Sequence, residues 1–178
     1  MLIRPATTSD VPAIAAMIRE LAQYEHLEHE AVATEADIAL ALFSDDHHVS
    51  CHLVEVDEHV VGFALWFLNY STFHGASGLY LEDLYLKEEY RGRGLGSALM
   101  QELAKLCVER GYTRFQWLVL DWNEPSIAFY QSIGAIPMDE WTVYRMSGRA
   151  LEAFANRENS DRERGEEPKK GFEGETNA

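Results

Sequence analysis

Apolar residues recur at Ile14, Met17, Ile18 and Leu21, a spacing that puts them on one side of a helix. Thr8, Ser9 and Asp10 can each cap its start, and Pro12 suits a first turn, so the pattern predicts a helix from near Val11. A short strand, Leu2 to Pro5, precedes it, and a second helix around Thr34 to Phe43 follows an acidic connector. The period then changes. His52 to Val56 and Val60 to Asn69 read as two strands joined by the turn residues Asp57 to His59, and Gly78 to Leu86 reads as a third.

Helical spacing returns at Leu99, Leu103, Leu106 and Cys107, which predicts a helix over Ser97 to Arg110 that Gly111 can end. Phe115 to Leu120 is a strongly apolar strand candidate. Pro125 to Ile133 reads as a short helix opened by Asn123 and Glu124 and closed by Gly134, and Thr142 to Met146 as a last strand. From about Asn156 the chain is polar and charged with a single aromatic residue, too little apolar surface to offset the entropy of ordering. Residues 1–155 are therefore expected to form one globular domain and 156–178 a disordered tail. No internal repeat is present.

Composition narrows the class. With 178 residues and 47% hydrophobic content, the chain can bury one full core but not two comfortable ones. The longest apolar run, Val60 to Leu68, is far short of a membrane span, and the N-terminus lacks a leader pattern. Cys51 and Cys107 stand apart with no CxxC spacing, which suits two ordinary thiols in a reducing compartment. A cytoplasmic protein with no membrane partner is expected. The net charge of -15 is unevenly placed. Residues 1–86 carry 14 acidic side chains against Arg4 and Arg19, whereas the remainder carries 16 acidic and 13 basic ones. Such a distribution argues against nucleic acid, whose phosphates need a basic face. It allows a cationic ligand in the first half and an anionic one near the arginines that follow.

Those arginines stand in RGRGLG, Arg91 to Gly96, between a predicted strand and a predicted helix. A Walker loop would need a lysine after the last glycine, and a dinucleotide fingerprint would need a third glycine where Ser97 stands. What remains is RxxGxG, with backbone N–H groups at a helix N-terminus, a place that favours a diphosphate. The loop alone fits a ligand-free strand-to-helix turn equally well.

Further segments extend the pattern. IRPAT, LAQYE, YLEDLYL, YRGRGLGS and LDWNEPSIAFY occur in this order, and over about Leu2 to Met146 the chain resembles the GNAT superfamily of acyl-CoA-dependent N-acyltransferases. The likeness is strongest to the diamine (spermidine/spermine) and thialysine N-acetyltransferases. It implies an α/β fold with a mixed, mostly antiparallel sheet flanked by helices, and acetyl-CoA as acyl donor. It also implies a homodimer, with acceptor sites near the interface, that acetylates a small cationic amine by direct attack in a ternary complex.

The resemblance also assigns residues. Arg91, Gly92, Arg93, Gly94, Leu95, Gly96 and Ser97 would wrap the pyrophosphate. Backbone groups of Leu84, Tyr85 and Leu86 would hold the pantetheine arm, and Asn123, Pro125 and Ser126 would meet the cosubstrate from the neighbouring strand end. Tyr130 would protonate the leaving thiolate, since a phenol of pKa about 10 can supply a thiolate of about 8.5. Adjacent strand residues face opposite ways, so only one of Glu82 and Asp83 is expected to face the reaction. Glu82 is taken as the base that acts through water, and Asp83 as a binding or structural residue. Tyr24 and Glu25 would contact the acceptor. Where the diamine enzymes have Asp, Pro and Trp, this chain has Ser71, Thr72 and Phe73, which with LDWN resembles the thialysine branch. His26 and His29, and His47 and His48, are read as exposed polar residues, and no metal is expected. Two competing readings are a GNAT enzyme acting on a protein or peptide amine, and a non-catalytic acyl-CoA-binding module.

Overall fold

The computed structural model describes residues 1–157. Strand β1 (Leu2–Pro5) and a 3-10 turn (Thr8–Asp10) lead into helix α1 (Val11–Tyr24), followed by α2 (Glu35–Phe43). Strands β2 (Val49–Val56), β3 (His59–Ser71) and β4 (Ala76–Leu86) come next, then α3 (Leu95–Glu109), β5 (Phe115–Gln116), α4 (Glu124–Ser132) and α5 (Gly148–Ala155). The sheet runs β1-β2-β3-β4-β5. Its first three pairings are antiparallel and β5 lies parallel to β4. This is the α/β arrangement expected, a mixed and mostly antiparallel sheet flanked by helices. Among the described residues, no helix is long and apolar enough to cross a membrane.

The chain forms two compact units, Met1–Ile127 and a second that begins at Ala128. In the first, the apolar stripe of α1 supplies Val11, Ile14, Ala15 and Met17 to a core with Ile38 and Leu42 of α2 and with Cys51, Leu53, Phe63 and Tyr85 of the sheet. Fully burying a Leu or Phe side chain contributes about 1.5–3 kcal/mol, so this face holds the helices in place. Trp66 Nε1 donates to His52 Nδ1 at 3.0 Å beneath a stacked ring pair, and the charges of Glu102 on α3 and of Arg110 just past its end reach His52. Thus α3, with Leu99 and Leu103 fully buried, covers the face opposite α1.

Most elements lie within two or three residues of the pattern-based expectation, but three differ. The strand expected over Phe115 to Leu120 is only two residues long, because it pairs with β4 at Leu79 and Tyr80 alone. Thr142 to Met146 is not a strand. Its β-branched and aromatic residues favour extension, but no described strand accepts its backbone groups, and an unpaired strand has no independent stability. Helix α5, which the pattern did not flag, exposes Leu151 and Phe154. The tail expected from Asn156 lies outside the described residues from residue 158 onward.

Candidate functional site

The β3–β4 ladder contains one irregularity. Leu65 pairs with Asp83 and Trp66 with Leu81, which leaves Glu82 as an extra residue, a β-bulge. Simple alternation would set Glu82 and Asp83 on opposite faces, and at this step the bulge interrupts the alternation, so that Leu81 and Asp83 lie opposite the adjacent residues Trp66 and Leu65. Asp83 lies opposite Leu65, and two residues on Tyr85 lies opposite Phe63, on the face that carries Cys51 and Leu53. Glu82 is exposed, whereas Asp83 is half-buried. Burial, then the charges of Glu82 and Glu25, push the Asp83 carboxyl up from 3.8 to about 6. Burial, with the charges of Asp10 and Asp83, raises the Cys51 thiol to about 12, which makes it inert.

Glu25 reaches this cluster from the end of α1. Its N–H bonds the Leu21 carbonyl at 2.9 Å, and His26 follows in a left-handed conformation (φ 61°) that turns the chain off the helix axis. Burial raises the Glu25 carboxyl as well. Among the described residues no basic side chain is within ion-pair distance of Glu25, Glu82 or Asp83.

Beyond Leu86 the chain makes a 3-10 turn (Glu88–Tyr90) and enters the glycine loop. Gly92 and Gly94 have φ of 71° and 78°, and among the described residues no atom beyond the adjoining residues lies within 4 Å of where a Cβ would stand on either. A β-branched residue would be strained in this conformation, and the open space leaves the backbone approachable. The first described bond of α3 across this loop runs from Ala98 N–H to the Gly94 carbonyl, so the amides of Leu95, Gly96 and Ser97 form the helix's free N-terminal end. Leu95 itself is buried, as is the Tyr85 ring, which leaves only their backbone groups to a ligand. Gly96 packs against Leu86, where an added Cβ would stand 3.4 Å from Leu86 Cδ1.

Arg91 folds back rather than outward. Its Nε donates to the Leu86 carbonyl at 2.9 Å, and its guanidinium stacks 4.7 Å from the Tyr24 ring centre and 5.5 Å from that of Tyr85. Arg93 lies 5.2 Å above the Tyr90 ring. Among the described residues no strand pairs with the outer edge of β4 past Tyr80, so Leu84 to Leu86 border the gap where β5 ends.

Asn123 ties three of these segments together. Buried at the start of α4, it accepts from the Tyr24 hydroxyl at 3.3 Å and from the Ser126 N–H at 3.4 Å through Oδ1, while its carbonyl accepts from Ile127 N–H at 3.0 Å. It is therefore a helix cap that also holds the Tyr24 hydroxyl. Pro125 sits in the first turn of α4, where a missing N–H breaks no helical bond. Trp122 joins the group, 5.7 Å from Tyr24 and 6.2 Å from His26 between ring centres. Sequence reasoning did not single out Trp122, although it lies in the LDWNEPS segment.

The remaining candidates are Tyr130, Ser71 and Phe73. Tyr130 lies past Ile127 and so belongs to the second unit, where its ring is 5.3 Å from Phe129 and its carbonyl accepts from Ala135 N–H at 3.1 Å. Ser71 is buried at the tip of the β3–β4 hairpin, where Oγ accepts from His74 N–H at 3.3 Å, and Phe73 beside it is 93% exposed. Ser71 pairs with Ala76, six residues before Glu82 and about 20 Å away along the strand, so one chain does not bring this pair to the carboxylates. Among the described residues no three His, Cys, Asp or Glu side chains gather as metal ligands would.

The chain matches the acetyltransferase (GNAT) family over residues 14–135. It is 33% identical to a thialysine N-epsilon-acetyltransferase of Sus scrofa, over 88% of this chain and 98% of the relative. It is 32% identical to an L-ornithine N5-acetyltransferase of Arabidopsis thaliana, over 85% and 86%. The solved structure of an integron cassette protein from the mobile metagenome of V. cholerae superposes with a TM-score of 0.74 at 27% identity, over 87% of this chain and 97% of that one.

Proposed function

Because this chain belongs to the acetyltransferase (GNAT) family, we propose that it transfers an acetyl group from acetyl-CoA to a primary amine of a small cationic acceptor, by direct attack in a ternary complex. The observation that carries this reading is the trio Glu25, Glu82 and Asp83, three neighbouring carboxylates without a cation among the described residues. A bound ammonium would complete them. The names of the relatives, which cite thialysine and ornithine, support a compact aminoalkyl amino acid as the preferred acceptor.

The residues present fit the donor. Open glycine backbone, free helix N-terminal amides and two arginines suit a diphosphate, and the outer edge of β4 suits an amide-bearing arm. Asn123, Pro125 and Ser126 border that arm in this reading. Arg91 must release the Leu86 carbonyl if that carbonyl is to meet the arm. An alkyl ammonium of pKa about 10 must lose a proton before attack, and the bulge carboxylates receive it. Tyr130 is assigned the proton for the leaving thiolate on its place in NEPSIAFY. Since Ser71 and Phe73 lie far from the carboxylates of their own chain, any contact they make with the acceptor comes from a second copy, in keeping with a homodimer.

Thiol release from acetyl-CoA, measured with thialysine, ornithine, a short diamine, spermidine and a lysine-containing peptide, tests the proposal. The small cationic amines should give the highest kcat/KM. A peptide that matches or exceeds them would shift the function to a protein amine, and no release with any amine would overturn the reading.

A further inference from the structure

We propose that Asp83, rather than Glu82, is the carboxylate that takes the proton from the acceptor ammonium, and that Glu82 passes this proton to solvent. The inference rests on the acetyl-transfer reading and assigns a role within that site. Its basis is the bulge. The extra residue, Glu82, has no partner across the ladder and stands exposed, where a proton exchanges freely with water. Asp83 keeps a partner in Leu65 and sits half-buried beside Cys51 and Tyr85 on the face under α1. Two adjacent carboxylates thus occupy unlike surroundings, an arrangement that divides proton capture from proton release.

The charged and titratable groups facing Asp83 are Glu82 and, two residues on, Tyr85 of its own strand, Glu25 from the end of α1, and Cys51 from β2, whose thiol stays protonated. Asp10 acts on the same Cys51. The nearby Arg91 is engaged with the Tyr24 and Tyr85 rings and the Leu86 carbonyl. With burial and two like charges against its ionised form, Asp83 is a stronger base than an ordinary carboxylate. At about 6 rather than 3.8, proton transfer from an ammonium is less uphill by roughly a hundredfold.

The step balances. An N–H bond of the ammonium breaks and its electron pair stays on nitrogen, while an O–H bond forms on Asp83, which becomes neutral. The freed amine then attacks the thioester carbonyl. As the C–S bond breaks, its pair leaves on sulfur, which takes the proton of Tyr130, and the second nitrogen proton restores that phenol. Asp83 returns its proton through Glu82 to water, so one proton is released per turnover.

The test is kcat/KM for thialysine against pH at saturating acetyl-CoA, in the parent and in Asp83→Asn, Glu82→Gln and Glu25→Gln. This ratio reports groups on the enzyme before the acceptor binds. The parent should show an acid limb that rises with pH and levels off above about 6. Asp83→Asn should lose the limb and about 100-fold or more of the plateau. Glu82→Gln and Glu25→Gln should keep the limb and move its midpoint down, because each removes a charge that disfavours ionised Asp83. Melting and acetyl-CoA titration check that Asp83→Asn is folded. A folded Asp83→Asn that retains the limb, or a Glu82→Gln that loses it, overturns the assignment. If Asp83→Asn does not fold, an unmoved midpoint in both glutamine variants overturns it and a lowered midpoint in both supports it. Failure of the parent to release thiol would instead overturn the acetyl-transfer reading beneath it.

Discussion

The two ends of α1 hold carboxylates in opposite circumstances. At the N-terminus, Asp10 is buried and accepts from Arg4 at 2.8 and 2.9 Å, and from the N–H and hydroxyl of Thr7 at 2.8 Å each, while Arg4 also bonds Glu55 at 3.0 Å. Hydrogen bonding from Arg4 outweighs burial and draws the Asp10 carboxyl down to about 2. The helix dipole acts in the same direction there. At the C-terminus, Glu25 faces the negative end of the dipole and stands near Glu82 and Asp83, where burial and like charge raise carboxyls instead. One end is complete within the chain, and the other has no cation within ion-pair distance among the described residues, the place that the proposed acceptor would fill. A helix with its charges satisfied at one end and opposed at the other separates architecture from chemistry within a single element.

Removing Asp10 should have the largest effect on stability. Asp10→Ala leaves a partly buried Arg4 without its main partner and should destabilise the fold by about 3 kcal/mol or more in urea unfolding. A loss under about 1 kcal/mol would place the N-terminal corner among ordinary surface pairs and break the comparison. Because Asp10 titrates lower folded than unfolded, its contribution is full above about pH 4 and fades as pH falls towards about 2. The difference between parent and Asp10→Asn should narrow over that window.

The opposite sign is expected at Asp83. Its folded value lies above its unfolded one, so ionisation weakens the fold as pH rises through about 4 to 6, and the full effect persists above that. Asp83→Asn should therefore stabilise the protein by about 2 kcal/mol at pH 8 and by nearly nothing at pH 4, read from unfolding curves at both values. A destabilised variant at pH 8 would make Asp83 a structural acid like Asp10.

Much of this architecture was legible in the chain. The spacing of Ile14, Met17, Ile18 and Leu21 marks α1, and the run from Val60 to Asn69 marks β3, because burial imposes its period directly on local sequence. The bulge was not legible. Whether Glu82 is an extra residue depends on Leu65 and Trp66, some 17 residues earlier, and alternation within β4 carries no record of that pairing. For the same reason the choice between Glu82 and Asp83 followed a rule that the ladder interrupts. The fold-back of Arg91 onto Tyr24 and the place of Trp122 beside the same ring are long-range packing, which no local motif encodes. The β-rich stretch Thr142 to Met146 shows the converse, since a strand propensity needs a neighbouring edge to be realised.

The smallest effect concerns the hairpin tip. Ser71→Asp can cap the same turn and adds a carboxylate at the position where the diamine enzymes carry one. If a second copy brings that tip to the acceptor, the ratio of kcat/KM for spermidine over thialysine should rise by up to roughly tenfold, and by less in high salt. An unchanged ratio would confine acceptor recognition to the carboxylates of one chain.

The central claim is that the carboxylates at the bulge form an incomplete cluster that a cationic amine completes. The carboxyl carbon signal of Asp83, followed by NMR across pH with and without thialysine, tests it most directly. The account expects a midpoint near 6 in the free protein that moves down when the amine binds, since a nearby ammonium favours the ionised acid. A midpoint near 4 in the free protein, unmoved by the amine, would contradict it.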